Sequence, residues 1–259
     1  QHDRFRCPPR WESRAGLRFS YQTGVRVEQV KQFKTYGEQV ELLRQRGMRV
    51  NDPEHAEMLL ARLNYYRLSG YWYPMRRFSQ GDGTAQDEFV DGASFDLVVA
   101  LYRFDEQLRH SVFIELDRVE LAIRTKLGHE LGRLDPLIYL DPQRLNARHG
   151  SDLTGPQLES WLKSLNILRN YAAHHARMFN RVYDIKPKLN NDVRLAPVAE
   201  GMNRVFGQLS LIQYLHRQLD LSPADRLPKL FDTYPHNPIV PFSRIGAPDN
   251  WRELPLWRV

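Results

Sequence analysis

One apolar stripe constrains this chain more than any other feature. Leu97, Leu101, Phe104, Leu108, Val112, Leu116, Val119, Ile123, Leu127 and Leu131 follow one another at steps of three or four residues. That period puts them on one face of an α-helix. Ser94 stands where an N-cap is needed. The stretch predicts one long amphipathic helix, or two joined by a kink, spanning roughly 55 Å at the helical rise.

Shorter helices flank it. Val40, Leu42 and Leu43 suit a helix from Tyr36 to Arg46, ended by Gly47. Asn51 or Asp52 can cap the next helix, with Pro53 in its first turn. That helix carries Ala56, Leu59, Leu60 and Leu63, then runs into the stretch Asn64 to Pro74. Residues 80–93, with Gly81, Asp82, Gly83, Asp91 and Gly92, read as a loop, as does the stretch around Pro136 and Pro142. Further helices are expected from about Pro156 to Met178, from about Val193 to Leu219, and over 223–232. No alternating strand pattern stands out, so the class is all-α. The expected organisation is a basic, mobile arm (1–30), an N-terminal helical subdomain (31–93), a helical bundle (94–220) and a Pro/Trp-rich end (221–259) packed irregularly over the bundle.

Composition removes several function classes. No apolar run approaches the roughly 20 residues of a membrane span, and the first residues show no apolar leader, so a cytoplasmic location without membrane contact is expected. A single cysteine, Cys7, excludes an internal disulfide and a cysteine-rich zinc site. The net charge of +6 is uneven: residues 161–194 hold seven Lys/Arg against two Asp/Glu, and residues 1–35 hold eight against three. The first of these islands surrounds Arg169 and His174 and suits phosphate, although charge alone leaves a solvated helix face as the leading reading.

Within that island, Asn170 and His174 are four residues apart and share a helical face. Asn170 can therefore hydrogen-bond the His174 ring and fix its tautomer. Arg169 lies about 140° round the axis from His174, within reach of a long guanidinium stem. Cleavage of RNA needs a base for the 2′-hydroxyl, an acid for the leaving oxygen and positive charge for the phosphorane. Histidine and arginine supply these. Spacing alone leaves a structural role for both residues ahead. Glu120 and Arg124 form an i,i+4 pair whose structural reading also leads. Rival chemistries lack support: adjacent His174 and His175 cannot face one metal, Asp184-Ile185-Lys186 lacks the strands of a metal-dependent nuclease, and neither a Gly-rich phosphate loop nor a Gly-x-Ser-x-Gly elbow is present. No metal and no cofactor are expected.

Several stretches resemble a known family. Tyr36-Gly37-Glu38-Gln39 with Leu42-Leu43 and Arg46-Gly47, and Asn64-Tyr65-Tyr66-Arg67-Leu68-Ser69-Gly70-Tyr71-Trp72, are similar to the N-terminal signature of the abortive-infection (Abi) proteins of phage defence. Phe95, Leu101 to Asp105, Leu108-Arg109, Glu115, Arg118 to Thr125, and the ending Gly246 to Trp251 with Leu256-Trp257 continue the likeness. It covers about residues 31–257. Members of that family resemble HEPN domains, helical ribonuclease units whose motif is Arg, a polar residue, spacers and His. Arg169, Asn170 and His174 fill that motif.

The resemblance implies a HEPN-like bundle and a metal-independent endoribonuclease. Arg169 would bind the scissile phosphate, His174 would transfer protons and Asn170 would orient it. His175, Glu120 and Arg124 would support the site, and Arg177, Arg181, Lys186 and Lys188 would bind RNA. It also implies a homodimer with a composite site, and an antitoxin or non-coding RNA as a possible partner. The alternative is a catalytically silent RNA-binding or regulatory module. The tyrosine-rich stretch 64–72 could stack bases, but a core role is favoured.

Overall fold

The structure is a computed structural model that describes residues 32–135 and 155–258. The proposed arm, Cys7 and the expected loop around Pro136 and Pro142 lie outside the described residues. The chain divides into two units, Gln1–Lys34 and Thr35–Val259. All elements named below belong to the second.

The fold is all-α, with one small hairpin among the described residues. Helix α1 (Tyr36–Gln45) starts on a capping box in which Glu38 N donates to Thr35 Oγ1 and Thr35 N donates to Glu38 Oε2. It stops where Gly47 takes φ +92° and Met48 N reaches back to Leu43 O. Helix α2 (Pro53–Leu63) has Asp52 as its cap and Pro53 in its first turn.

The expected run of α2 into the tyrosine stretch is corrected. Asn64 takes φ 72°, ends α2 through its N–H to Leu60 O, and caps α3 (Tyr65–Trp72) by accepting from Tyr66 N. Asparagine tolerates the left-handed backbone, and its side chain satisfies the new helix start.

The expected loop over 80–93 is corrected in part. Strand β1 (Arg76–Phe78) pairs antiparallel with β2 (Ala85–Phe89), with Arg76 opposite Phe89 and Phe78 opposite Ala85. β2 is mostly exposed, so it has no alternating apolar pattern to betray it. Asp87 of β2 accepts from Arg46 and Arg76 instead.

Helix α4 (Phe95–Leu134) is a single helix of 40 residues capped by Ser94. It packs against α3, α5 (Gly155–Ala173), α6 (Val205–Gln218) and α7 (Arg226–Phe231). Two helix boundaries differ from expectation. α5 stops at Ala173 rather than Met178, for a reason taken up with the site. α6 begins at Val205 rather than Val193, because Pro197 lacks an N–H and the chain turns tightly at Gly201 before reaching Arg204. Every residue of α6 from Val205 to His216 is buried. A Cβ on Gly207 would sit 2.3 Å from Gly201 O, so that close approach requires glycine.

The C-terminal segment closes the bundle. Trp257 stacks on Phe206 with centroids 4.8 Å apart and donates from Nε1 to Ser210 Oγ at 2.9 Å. Phe231, Phe242 and Trp251 complete that aromatic cluster. Among the described residues no helix is long and apolar enough to cross a membrane.

Candidate functional site

Helix α5 buries Trp161, Ser164, Leu165, Leu168 and Ala172. That face fixes the remaining positions. Arg169 is turned outward into a cleft of about 460 Å³ between α4 and α5. Leu116, Val119, Glu120, Ile123, Arg124, Leu162, Leu165 and Asn166 line the cleft with it. The structure thus brings Arg169, Glu120 and Arg124 together. Glu120 and Arg124 form an ion pair along α4, and the Arg169 side chain makes no hydrogen bond or ion pair among the described residues.

His174 lies elsewhere. It is the residue after the last helical one, five positions on from Arg169, or about 7.5 Å along the axis. Its N–H still donates to Asn170 O at 2.9 Å, but its ring is exposed and does not line the cleft. The expected bond from the Asn170 side chain to the His174 ring is absent among the described residues. Asn170 is half-buried at the helix end.

The chain turns at once after His174. His175 adopts φ 53°, His175 N donates to Ala172 O, and Ala176 N donates to Tyr171 O. This is a Schellman ending with His174 as its cap and a histidine where glycine usually stands. The helix does not continue to Met178 because Asp105, fully buried on α4, offers a better acceptor. Met178 N and Phe179 N donate to Asp105 Oδ1 at 3.1 and 2.7 Å. Tyr71 Oη donates to Asp105 Oδ2 at 2.6 Å, and Arg109 forms a buried ion pair with it. Burial pushes the Asp105 carboxyl upward, and Arg109, Tyr71 and the two amides pull against that. Burial and the neighbouring Asp105 push the Tyr71 hydroxyl well above its ordinary value, so it remains a donor.

The basic residues spread along α5 rather than cluster. Arg177 donates to Phe179 O at 3.1 Å, close to the His174 turn. Arg181 lies 4.3 Å over the Tyr171 ring. Lys186 and Lys188 are exposed, and the backbone of Lys188 bonds to Ser160 and Trp161 near the other end of the helix. Ser160 is fourteen residues from His174, about 20 Å along α5. Among the described residues no group of three or more His, Cys, Asp or Glu comes together to hold a metal.

The tyrosine stretch divides. Leu68, Tyr71 and Trp72 are core, whereas Tyr66 and Arg67 are exposed. Arg67 crosses to the site, donating from Nη1 to His175 O at 3.1 Å. Sequence reasoning missed Arg67 and Asp105. No local signal separates Asp105: its i,i+4 pair with Arg109 stands beside the apolar stripe of α4 just as the exposed Glu120–Arg124 pair does.

Residues 58–155 and 144–180 match the model of the Abi-like protein family. This match supports the Abi family for the chain. Its first part takes in α3, the hairpin and α4, and its second takes in Arg169, Asn170, His174 and the turn that follows. The resembling stretches Tyr36–Gly47 and Gly246–Trp257 fall outside it. No curated protein and no solved structure matches the chain.

Proposed function

We propose that this chain is a metal-independent endoribonuclease of the abortive-infection type, acting in antiviral defence as a homodimer. One observation carries the reading. Arg169 and His174 both stand outside the core at one end of α5, and neither side chain is engaged by the rest of the described protein. Residues kept for stability would be packed or paired. These two are available to a ligand, and their chemistry suits phosphoryl transfer. The Abi-like match across both stretches supports the defence role.

In this reaction the 2′-oxygen of the RNA bonds to the adjacent phosphorus. Its proton passes to a base, the bond from phosphorus to the 5′-oxygen breaks, and that oxygen takes a proton from an acid. The products are a 2′,3′-cyclic phosphate and a free 5′-hydroxyl. The nucleophile belongs to the substrate, so no metal is required to generate it. Arg169 would balance the developing charge and His174 would move a proton. One chain supplies one His174, and that ring stands off the cleft lined by Arg169. A second copy across a two-fold axis would bring two of each into one groove. Exposed Leu121 and Leu127 on α4, with Leu158 and Leu162 on α5, support such pairing. Arg177, Arg181, Lys186 and Lys188 would draw RNA along α5.

The test is incubation of the purified protein with total RNA in EDTA, beside His174→Ala and Arg169→Ala. RNA should be cut to cyclic-phosphate ends, DNA should survive, and both variants should be inactive with melting temperatures within a few degrees of wild type, a change of about 1 kcal/mol or less. Activity that needs added magnesium, or cleavage of DNA, would overturn the mechanism. The missing Asn170–His174 bond favours a second reading, an RNA-binding or regulatory module without turnover. That reading gains if RNA is retained uncut.

A further inference from the structure

We infer that Arg67 of α3 is a positioning residue for His174, acting through the turn that ends α5; its kinetic consequence rests on the ribonuclease reading above. The turn needs outside support. His175 holds a left-handed backbone without being glycine, a conformation that persists only where its surroundings impose it. Three contacts from other elements impose it. Arg67 Nη1 donates to His175 O at 3.1 Å. The Arg177 stem lies across Gly70 so closely that a Cβ there would come 2.9 Å from Nε. Tyr71 lies parallel to Phe179, with centroids 6.3 Å apart, and its hydroxyl orients the Asp105 carboxylate that receives Met178 N and Phe179 N.

Arg67, Gly70 and Tyr71 stand at i, i+3 and i+4, so α3 presents one face to the segment 174–179. Burial separates their roles. Tyr71 and Asp105 are buried and hold the turn as part of the core, whereas Arg67 is exposed at its rim. Arg67 can therefore be altered without opening the core. Its bond falls on the residue next to His174, so it sets where that ring stands relative to Arg169.

The test compares the wild-type chain with Arg67→Ala, Arg67→Lys and Tyr71→Phe. Backbone amide exchange is followed by NMR, and cleavage is followed on a short labelled single-stranded RNA. In Arg67→Ala the hydrogen-bonded amides of His175, Ala176, Met178 and Phe179 should exchange about tenfold faster, with α1, α2 and the melting temperature unchanged, because only a local opening is eased. kcat should fall about tenfold while KM stays within about twofold, since ring placement rather than RNA binding is lost. Arg67→Lys should recover part of both, because an ammonium can still donate to the carbonyl. Tyr71→Phe should quicken exchange at Met178 and Phe179. Unchanged exchange in Arg67→Ala overturns the inference. If KM rises at the same time, Arg67 is a phosphate contact instead. Faster exchange throughout the chain with a lower melting temperature overturns it too, by making Arg67 a general stabiliser. A wild type that never cuts RNA removes the ribonuclease reading and leaves the turn to be judged by exchange alone.

Discussion

From Phe95 to Val119, α4 buries Val98, Leu101, Phe104, Leu108, Val112, Leu116 and Val119 against four other helices. From Glu120 to Leu134 the same spacing continues, yet Ile123 and Leu131 are only half-buried and Leu127 is 55% exposed. Both stretches also carry opposite-charge pairs at helical spacing. Asp105–Arg109 is buried and ties two more elements to the helix, whereas Glu120–Arg124 and Glu130–Arg133 lie in solvent. An identical pattern thus has two physical outcomes. Where partners cover the stripe it makes the core. Where few do among the described residues, it leaves a partly uncovered apolar face beside the Arg169 cleft.

Substitutions can break or sharpen this contrast. The largest effect should come from Asp105→Ala, which leaves the buried Arg109 without its partner and frees two backbone amides. A loss of about 3–5 kcal/mol is expected in urea unfolding. Glu120→Ala should cost about 0.5 kcal/mol or less, because water screens an exposed pair. Equal losses would mean that the end of α4 is as well packed as its start.

The next effect concerns the stripe. Leu108→Ala should cost about 2–5 kcal/mol through the cavity it opens. Leu127→Ala should stay within about 0.5 kcal/mol when the chain is dilute. If the exposed half of the helix pairs in a dimer, Leu127→Asp should reduce the light-scattering mass from about twice 30.5 kDa to the chain mass. A wild type that scatters as a monomer at every concentration would leave that face without a protein partner and sink the composite site.

A smaller effect probes the same half. Among the described residues, Gly128 and Gly132 have nothing within 4 Å of an added Cβ. Gly128→Ala should stabilise α4 by about 0.5–1 kcal/mol in thermal unfolding, because alanine is the better helix former. Destabilisation, or loss of the dimer, would place Gly128 in a close contact between copies. A comparably small effect lies at the far end of α5. His175→Gly should raise stability by about 1 kcal/mol or less by relieving the positive φ. A loss of stability there would show that the His175 side chain holds the turn.

Much of the fold was legible because its causes are local. Asp52 and Ser94 are good caps, Gly47 is a helix stop, and the stripe on α4 has an unmistakable period. The start of α6 is marked locally by Pro197 and Gly201, and the expected start at Val193 is too early, but the end of α5 and strand β2 have non-local causes. Helix propensity continues past Ala173, but Asp105, more than seventy residues away, captures the amides of Met178 and Phe179. β2 exists through its pairing with β1 and shows no alternation of its own.

For the candidate site, the sequence by itself supplied the chemically able residues: Arg169, Asn170 and His174 in one helical segment, set in a basic stretch. Their types and spacing follow from the chain alone, because 3.6 residues per turn fixes which positions can share a face. Only the tertiary structure decided that Arg169 opens onto the cleft with Glu120 and Arg124, while His174 caps the helix in a turn gripped by Arg67 and Asp105. The physical reason is that a helix's outward faces are interchangeable until other elements cover one. Where a helix stops depends on which distant acceptor its last amides can reach.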